Sequence, residues 1–142
     1  MTITFSHDCN YLARLRREKF GQSTIHLGEL EKLLIENSAV TEKVADAFVI
    51  GYDINYYTNA FKFFMFSIIL LKTALKSKHL HVDATYKLLW QGFPVHVMGT
   101  TDRNRSFHCY GISVCNGETT AYFEFTFHTM KFAIAKYNWY LY

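Results

Sequence analysis

The spacing of apolar residues changes several times along the chain, and each change marks an element. In "LGELEKLLIEN" they recur at three- and four-residue intervals, so Leu27, Leu30, Leu33 and Leu34 share one stripe of a helix ending near Asn37. Upstream, "NYLARLRREKF" has similar spacing, with Asp8 placed to cap it. At Ala47 the period drops to two. "AFVIGYDI" predicts a strand with Phe48, Ile50, Tyr52 and Ile54 on one face. "FKFFMF" predicts a second strand, and the turn-prone segment Asn55–Asn59 between them makes a hairpin. "IILLKTALKSK" predicts a helix of about three turns, its lysines gathered at the C-terminal end where the helix dipole favours cations.

Alternation returns in "HLHVDATYKL". Leu80, Val82, Ala84, Tyr86 and Leu88 point one way, and His79, His81, Asp83, Thr85 and Lys87 the other. "WQGFP" is a turn, "VHVMGTT" a strand, "DRNR" a hairpin loop and "SFHCYGISVC" a further strand. Gly99 and Gly111 inside these strands mark close packing or bulges. Short connections make the three strands antiparallel neighbours. "NGETTAYFEFTFHTMKF" then switches to helical spacing through Phe123, Phe127 and Met130, with Thr119 or Thr120 as N-cap. The run is β-β-β-α, and the fold class is α+β. Four segments follow: a helical stretch over 1–46, a hairpin plus short helix over 47–78, the β-β-β-α unit over 79–132, and an aromatic tail over 133–142.

Composition narrows the function classes. With 142 residues, half of them apolar and 18% aromatic, the chain can bury a core and is not a disordered segment. Net charge is +3, which permits a polyanionic partner without requiring one. Arg14, Arg16, Arg17 and Lys19 form the densest basic cluster, either a face for nucleic acid or a solvated helix face. Cys9, Cys109 and Cys115 form no C-x2-C pair and read as free thiols of a reducing compartment. The most apolar run, Ala60–Leu71, contains Lys62 and falls short of the roughly 20 residues a spanning helix needs. A soluble nuclear or cytoplasmic protein is expected, with no membrane partner.

The residue that raises a chemical question is Asp83, a carboxylate in the middle of a strand. The stretch "DATYKLLWQGFPVHVMGTTDRNRSFHCYGISVCNGETT" resembles the first part of the transposase domain of Mutator-like elements, the MULE transposases. "DATYK", "WQGFPV", "GTTD" and "ET" fall in that family's order, and "AFVIGYDIN" and "LLK" upstream are also similar. The resemblance spans roughly residues 10–130 and is specific through 79–120. It implies an RNase H-like core that cuts and transfers DNA strands with three carboxylates and two Mg²⁺ or Mn²⁺ ions. Two such ions about 4 Å apart stabilise the charge that builds on phosphoryl oxygens during displacement. Asp83 matches the family's first acidic ligand.

The same resemblance implies that the other two ligands belong to a later strand and a later helix, beyond Tyr142. The chain is therefore expected to be the N-terminal part of such a core, lacking two of three ligands. "AIAKYNWYLY" does not match the family's pattern, and Tyr122 stands where it carries an acidic residue. Asp102 is the local substitute to consider. With a turn centred on Gly92–Phe93 it would lie opposite Asp83, Cβ atoms about 5 Å apart. Its other role is to open the "DRNR" turn by bonding backbone amides. His81, His96, His108 and His128 show no zinc-ligand spacing. Glu118 and Glu124 favour a helix dipole, and Tyr86 and Trp90 either stack on bases or pack.

Three functions remain open: a transposase part, a domesticated non-enzymatic module that binds DNA or another transposase copy, and a small metal- or ligand-binding protein. An incomplete core would leave the sheet face at Leu80, Val82 and Ala84 partly uncovered and prone to self-association. The tail aromatics Phe132, Tyr137, Trp139, Tyr140 and Tyr142 are the expected cover.

Overall fold

A computed structural model describes residues 26–85, 89, 92–117 and 119–138. Among these residues are three helices, α1 (Leu27–Glu36), α2 (Ile68–Ala74) and α3 (Thr120–Tyr137), and five strands. The strands are β1 (Phe48–Asn55), β2 (Ala60–Phe66), β3 (His81–Thr85), β4 (Val95–Thr101) and β5 (Phe107–Cys115). All pair antiparallel in one sheet of order β1-β2-β5-β4-β3. The architecture is mixed α+β. The 47–78 hairpin and the 79–132 meander thus share a single sheet, joined where Phe63 faces Val114 and Met65 faces Ile112.

The hairpins form where turn residues demanded them. Asn55 accepts the N–H groups of Tyr57 and Thr58 through its side-chain oxygen, and Asn59 takes a positive φ of 52°. Helix α1 buries Leu34 and leans Leu27 and Leu30 on the sheet, while Leu33 stays 56% exposed. Asn37 and Ser38 close its C-terminal end by donating side-chain hydrogen bonds to the carbonyls of Leu33 and Leu34. Helix α2 is capped by Ser67, whose Oγ accepts from the Leu70 N–H at 3.4 Å. It is shorter than its apolar spacing predicts, ending at Ala74 before the lysines Lys76 and Lys78.

Each face of the sheet has its own core. On one, Phe48, Phe64, Phe66, Met98 and Tyr110 pack with Ile68 and Leu71 of α2 and with Met130, Ala133 and Tyr137 of α3. On the other, Val49, Phe61, Phe63, Val95 and Val114 pack with Leu34 of α1. Two bulges break the expected alternation. The register shifts between Val49 and Gly51, so Phe48 and Ile50 join the first core while Tyr52 and Ile54 join the second. A second shift between Met98 and Gly99 leaves Tyr110 unpaired in β5. Gly111 beside it has no room for a side chain, because a Cβ there would stand 2.5 Å from the Phe64 ring.

Helix α3 does not stop at Phe132. Met130, Ala133 and Tyr137 continue its buried stripe at three- and four-residue spacing, so the boundary expected between 132 and 133 falls inside a helix. The tail does not cover β3 with Tyr137 either. That ring packs on Phe48 and Phe66 at 5.7 and 6.1 Å between centroids, on the β1–β2 side. Phe132 faces outward, and Trp139, Tyr140 and Tyr142 lie outside the described residues. Val82 and Ala84 are half-buried and Leu80 is 42% exposed.

Candidate functional site

Asp83 sits at the centre of β3, which among the described residues is an edge strand paired with β4. Period-two alternation turns Val82 toward Met98 and the helix-covered core, and turns Asp83 to the opposite face. Its carboxylate is exposed and has no hydrogen bond or ion pair among the described residues. His81 shares that face two residues earlier, about 7 Å along the strand.

Asp102 is not the partner. Asp83 pairs with Val97, His81 with Gly99 and Thr85 with Val95, so the register differs by five residues from a turn centred on Gly92–Phe93. The described ladder ends at the Thr85–Val95 pair, a register that a turn centred on Gly92–Phe93 does not give. An odd shift also sends Asp102 to the other face. There it opens the β4–β5 hairpin. One carboxylate oxygen accepts the N–H groups of Asn104 and Ser106 at 2.8 and 2.9 Å, and the other lies 2.9 Å from Nε2 of His108. The hydrogen bond from His108, then that from the Ser106 amide, hold the carboxyl below the usual aspartate range.

Among the described residues, no three His, Cys, Asp or Glu side chains converge to hold a metal ion. Arg14, Arg16, Arg17 and Lys19 lie outside the described residues, as do Tyr86, Trp90 and Glu118.

One side-chain cluster was not foreseen in the sequence. His96 is fully buried, stacked on the Phe123 ring at 4.3 Å, with Nδ1 3.4 Å from Thr126 Oγ1 and Nε2 3.9 Å from Cys115 Sγ. Thr126 donates its own proton to the Tyr122 carbonyl, so Nδ1 carries the hydrogen directed at Thr126 Oγ1. Burial pushes the imidazole below its ordinary value and the Cys115 thiol above its own. The thiol donates to the Gly117 carbonyl at 3.1 Å. A neutral imidazole beside a protonated, enclosed thiol is a packed polar pair. Nucleophilic chemistry would need a thiolate open to substrate.

No helix among the described residues is long and apolar enough to cross a membrane. Comparison with protein-family models, with curated proteins and with solved structures found no match to the chain.

Proposed function

We propose that the chain forms the opening part of a Mutator-like transposase core, an RNase H-like domain for divalent-metal-dependent DNA strand cleavage and transfer. In this reading Asp83 is the first carboxylate of the metal site. The observation that supports it is the position of Asp83. It is a mid-strand carboxylate without a hydrogen-bonding role among the described residues, on the first strand of an antiparallel meander leading into an 18-residue helix. A turn explains the aspartate at Asp102 structurally; among the described residues nothing comparable explains Asp83.

The described residues do not complete a site for Mg²⁺ or Mn²⁺. Hard cations take several oxygen ligands, and one carboxylate holds them weakly. In this reading these side chains supply one corner of the metal site. The remaining carboxylates must be supplied from outside them.

The test is the transcript across the codon for Tyr142. A reading frame that continues into a strand-borne aspartate and a helix-borne glutamate is the expected result. In that product Asp83→Asn abolishes Mg²⁺-dependent strand transfer. A frame without those carboxylates, or transfer that survives Asp83→Asn, overturns the reading.

A further inference from the structure

The β4–β5 hairpin turns through "DRNRSF", and Ser106 within it differs from every other hydroxyl of the chain. It is the one serine or threonine with a lysine or arginine three residues before it, Arg103. Arg105 precedes it directly and Phe107 follows it. All four side chains reach solvent, Phe107 being 49% exposed. Among the described residues neither arginine has an ion pair and the Ser106 hydroxyl has no hydrogen bond. Thr73 and Ser77, which follow Lys72 and Lys76, are different. Their hydroxyls already donate to the carbonyls of Ile69 and His79.

Asp102 holds the backbone around Ser106 closed. Its Oδ1 accepts the N–H groups of Asn104 and Ser106 at 2.8 and 2.9 Å. Its carbonyl accepts the Arg105 N–H at 3.0 Å, and its N–H donates to the Ser106 carbonyl at 3.0 Å. Within this clasp Arg105 is bent to a φ of 63°, a region that side chains disfavour. Opening the clasp breaks these four hydrogen bonds and relieves Arg105. It uncovers no buried side chain, because residues 101–108 are exposed already. Local opening of the loop therefore costs far less than unfolding the sheet beneath it.

We propose that Ser106 is a phosphorylation site for a protein kinase that selects basic substrates, reached when the Asp102 clasp opens. A kinase cleft takes its substrate as extended chain, and acidic side chains there pair with cations before the acceptor. Arg103 and Arg105 are the unpaired cations that fit this pattern. In the transfer, Ser106 Oγ bonds to the γ-phosphorus of ATP while the bond to the bridging β,γ-oxygen breaks. ADP leaves, and the hydroxyl proton passes to the kinase's base. The new phosphate carries about two negative charges and stands beside the Asp102 carboxylate, which must accept the Ser106 N–H for the clasp to close. The two anions repel, Arg103 and Arg105 are free to pair with the phosphate, and the loop stays open. The site depends neither on Asp83 nor on a metal.

The test is incubation of the full chain with ATP and the catalytic subunit of cyclic-AMP-dependent protein kinase, read by intact and tandem mass spectrometry. Phosphate is expected on Ser106 and is absent from that peptide in Ser106→Ala. Arg103→Ala lowers the initial rate by about tenfold or more, the loss of one charge-assisted contact. Asp102→Ala raises the rate by about tenfold, because two hydrogen bonds of the clasp are gone. Met65→Ala weakens the fold but keeps the clasp, and leaves the rate unchanged. Circular dichroism melts confirm that each variant is folded. No phosphate on Ser106, a rate unaffected by Arg103→Ala, a rate in Asp102→Ala no higher than wild type, or an equal rise in Met65→Ala would each overturn the proposal.

Discussion

The two faces of the sheet are covered to different degrees. On one, α2 and α3 close over a continuous core in which Phe64, Leu71, Met98 and Ala133 are fully buried. On the other, α1 covers Val49 and Phe63 and leaves Met65, Val97 and Ile112 only partly buried. An apolar cavity of about 300 Å³ remains between α1 and the sheet. Asp83 and His81 project from this thinly covered face. Packing is thus concentrated on one side of the sheet, and the exposed carboxylate of Asp83 stands on the other.

The strongest way to break that contrast is to truncate neighbouring residues of β2 that point to opposite faces. Phe64→Ala removes a ring from the closed core and should destabilise by about 3–5 kcal/mol in urea denaturation. Met65→Ala, on the thinly covered face, should cost less than about 2 kcal/mol, since part of its surface already meets solvent. Equal losses would mean that both faces carry the fold alike.

Much of this asymmetry was legible in the sequence, because period-two alternation depends only on backbone geometry. It put Val82 and Asp83 on opposite faces, and the "DRNR" and Asn55–Asn59 turns placed both hairpins. What alternation does not carry is a bulge. Ile50 and Tyr110 are extra residues whose side chains find the helix-covered core, and only the packed structure decides that. The β3–β4 register was lost for a related reason. "WQGFP" has the residues of a tight turn, yet Thr85 pairs with Val95, a register that a turn centred on Gly92–Phe93 does not give. Any site that depends on that register, such as an Asp83–Asp102 pair, was out of reach. The end of α3 is a different kind of miss, for Met130, Ala133 and Tyr137 keep helical spacing in the sequence itself. The His96–Cys115 pair needed the β4–β5 register, in which His96 faces Ser113 and so comes beside Cys115.

The closed face should also respond to pH through His96. His96 is held neutral by burial, its folded value lying below the ordinary 6.5. A basic group depressed by folding contributes stability that is complete above the unfolded value and lost as the pH falls below it. The unfolded chain then binds a proton that the folded chain refuses. Melting temperature should accordingly drop between pH 7.5 and 5.5, and His96→Gln should flatten that drop. The carboxyl of Asp102 acts in a separate window. Its depressed value means stability lost only as the pH falls below the ordinary aspartate value of 3.8. A drop that persists unchanged in His96→Gln would assign the titration to a different group.

The smallest effect expected is also the most informative for Asp83. Aspartate is poorly suited to a strand, and this one faces Val97 across the sheet without a hydrogen bond among the described residues. Threonine keeps a polar oxygen, fits the pleat better and removes the charge. Asp83→Thr should therefore raise stability slightly, by about 0.5 kcal/mol, in the same urea measurement. A gain means that the carboxylate costs the fold something and is not there to hold it together, as a residue placed for chemistry would behave. A loss of more than about 1 kcal/mol means instead that Asp83 holds the structure. In that case the position of this aspartate no longer supports a metal ligand, and the open face has lost the group that set it apart.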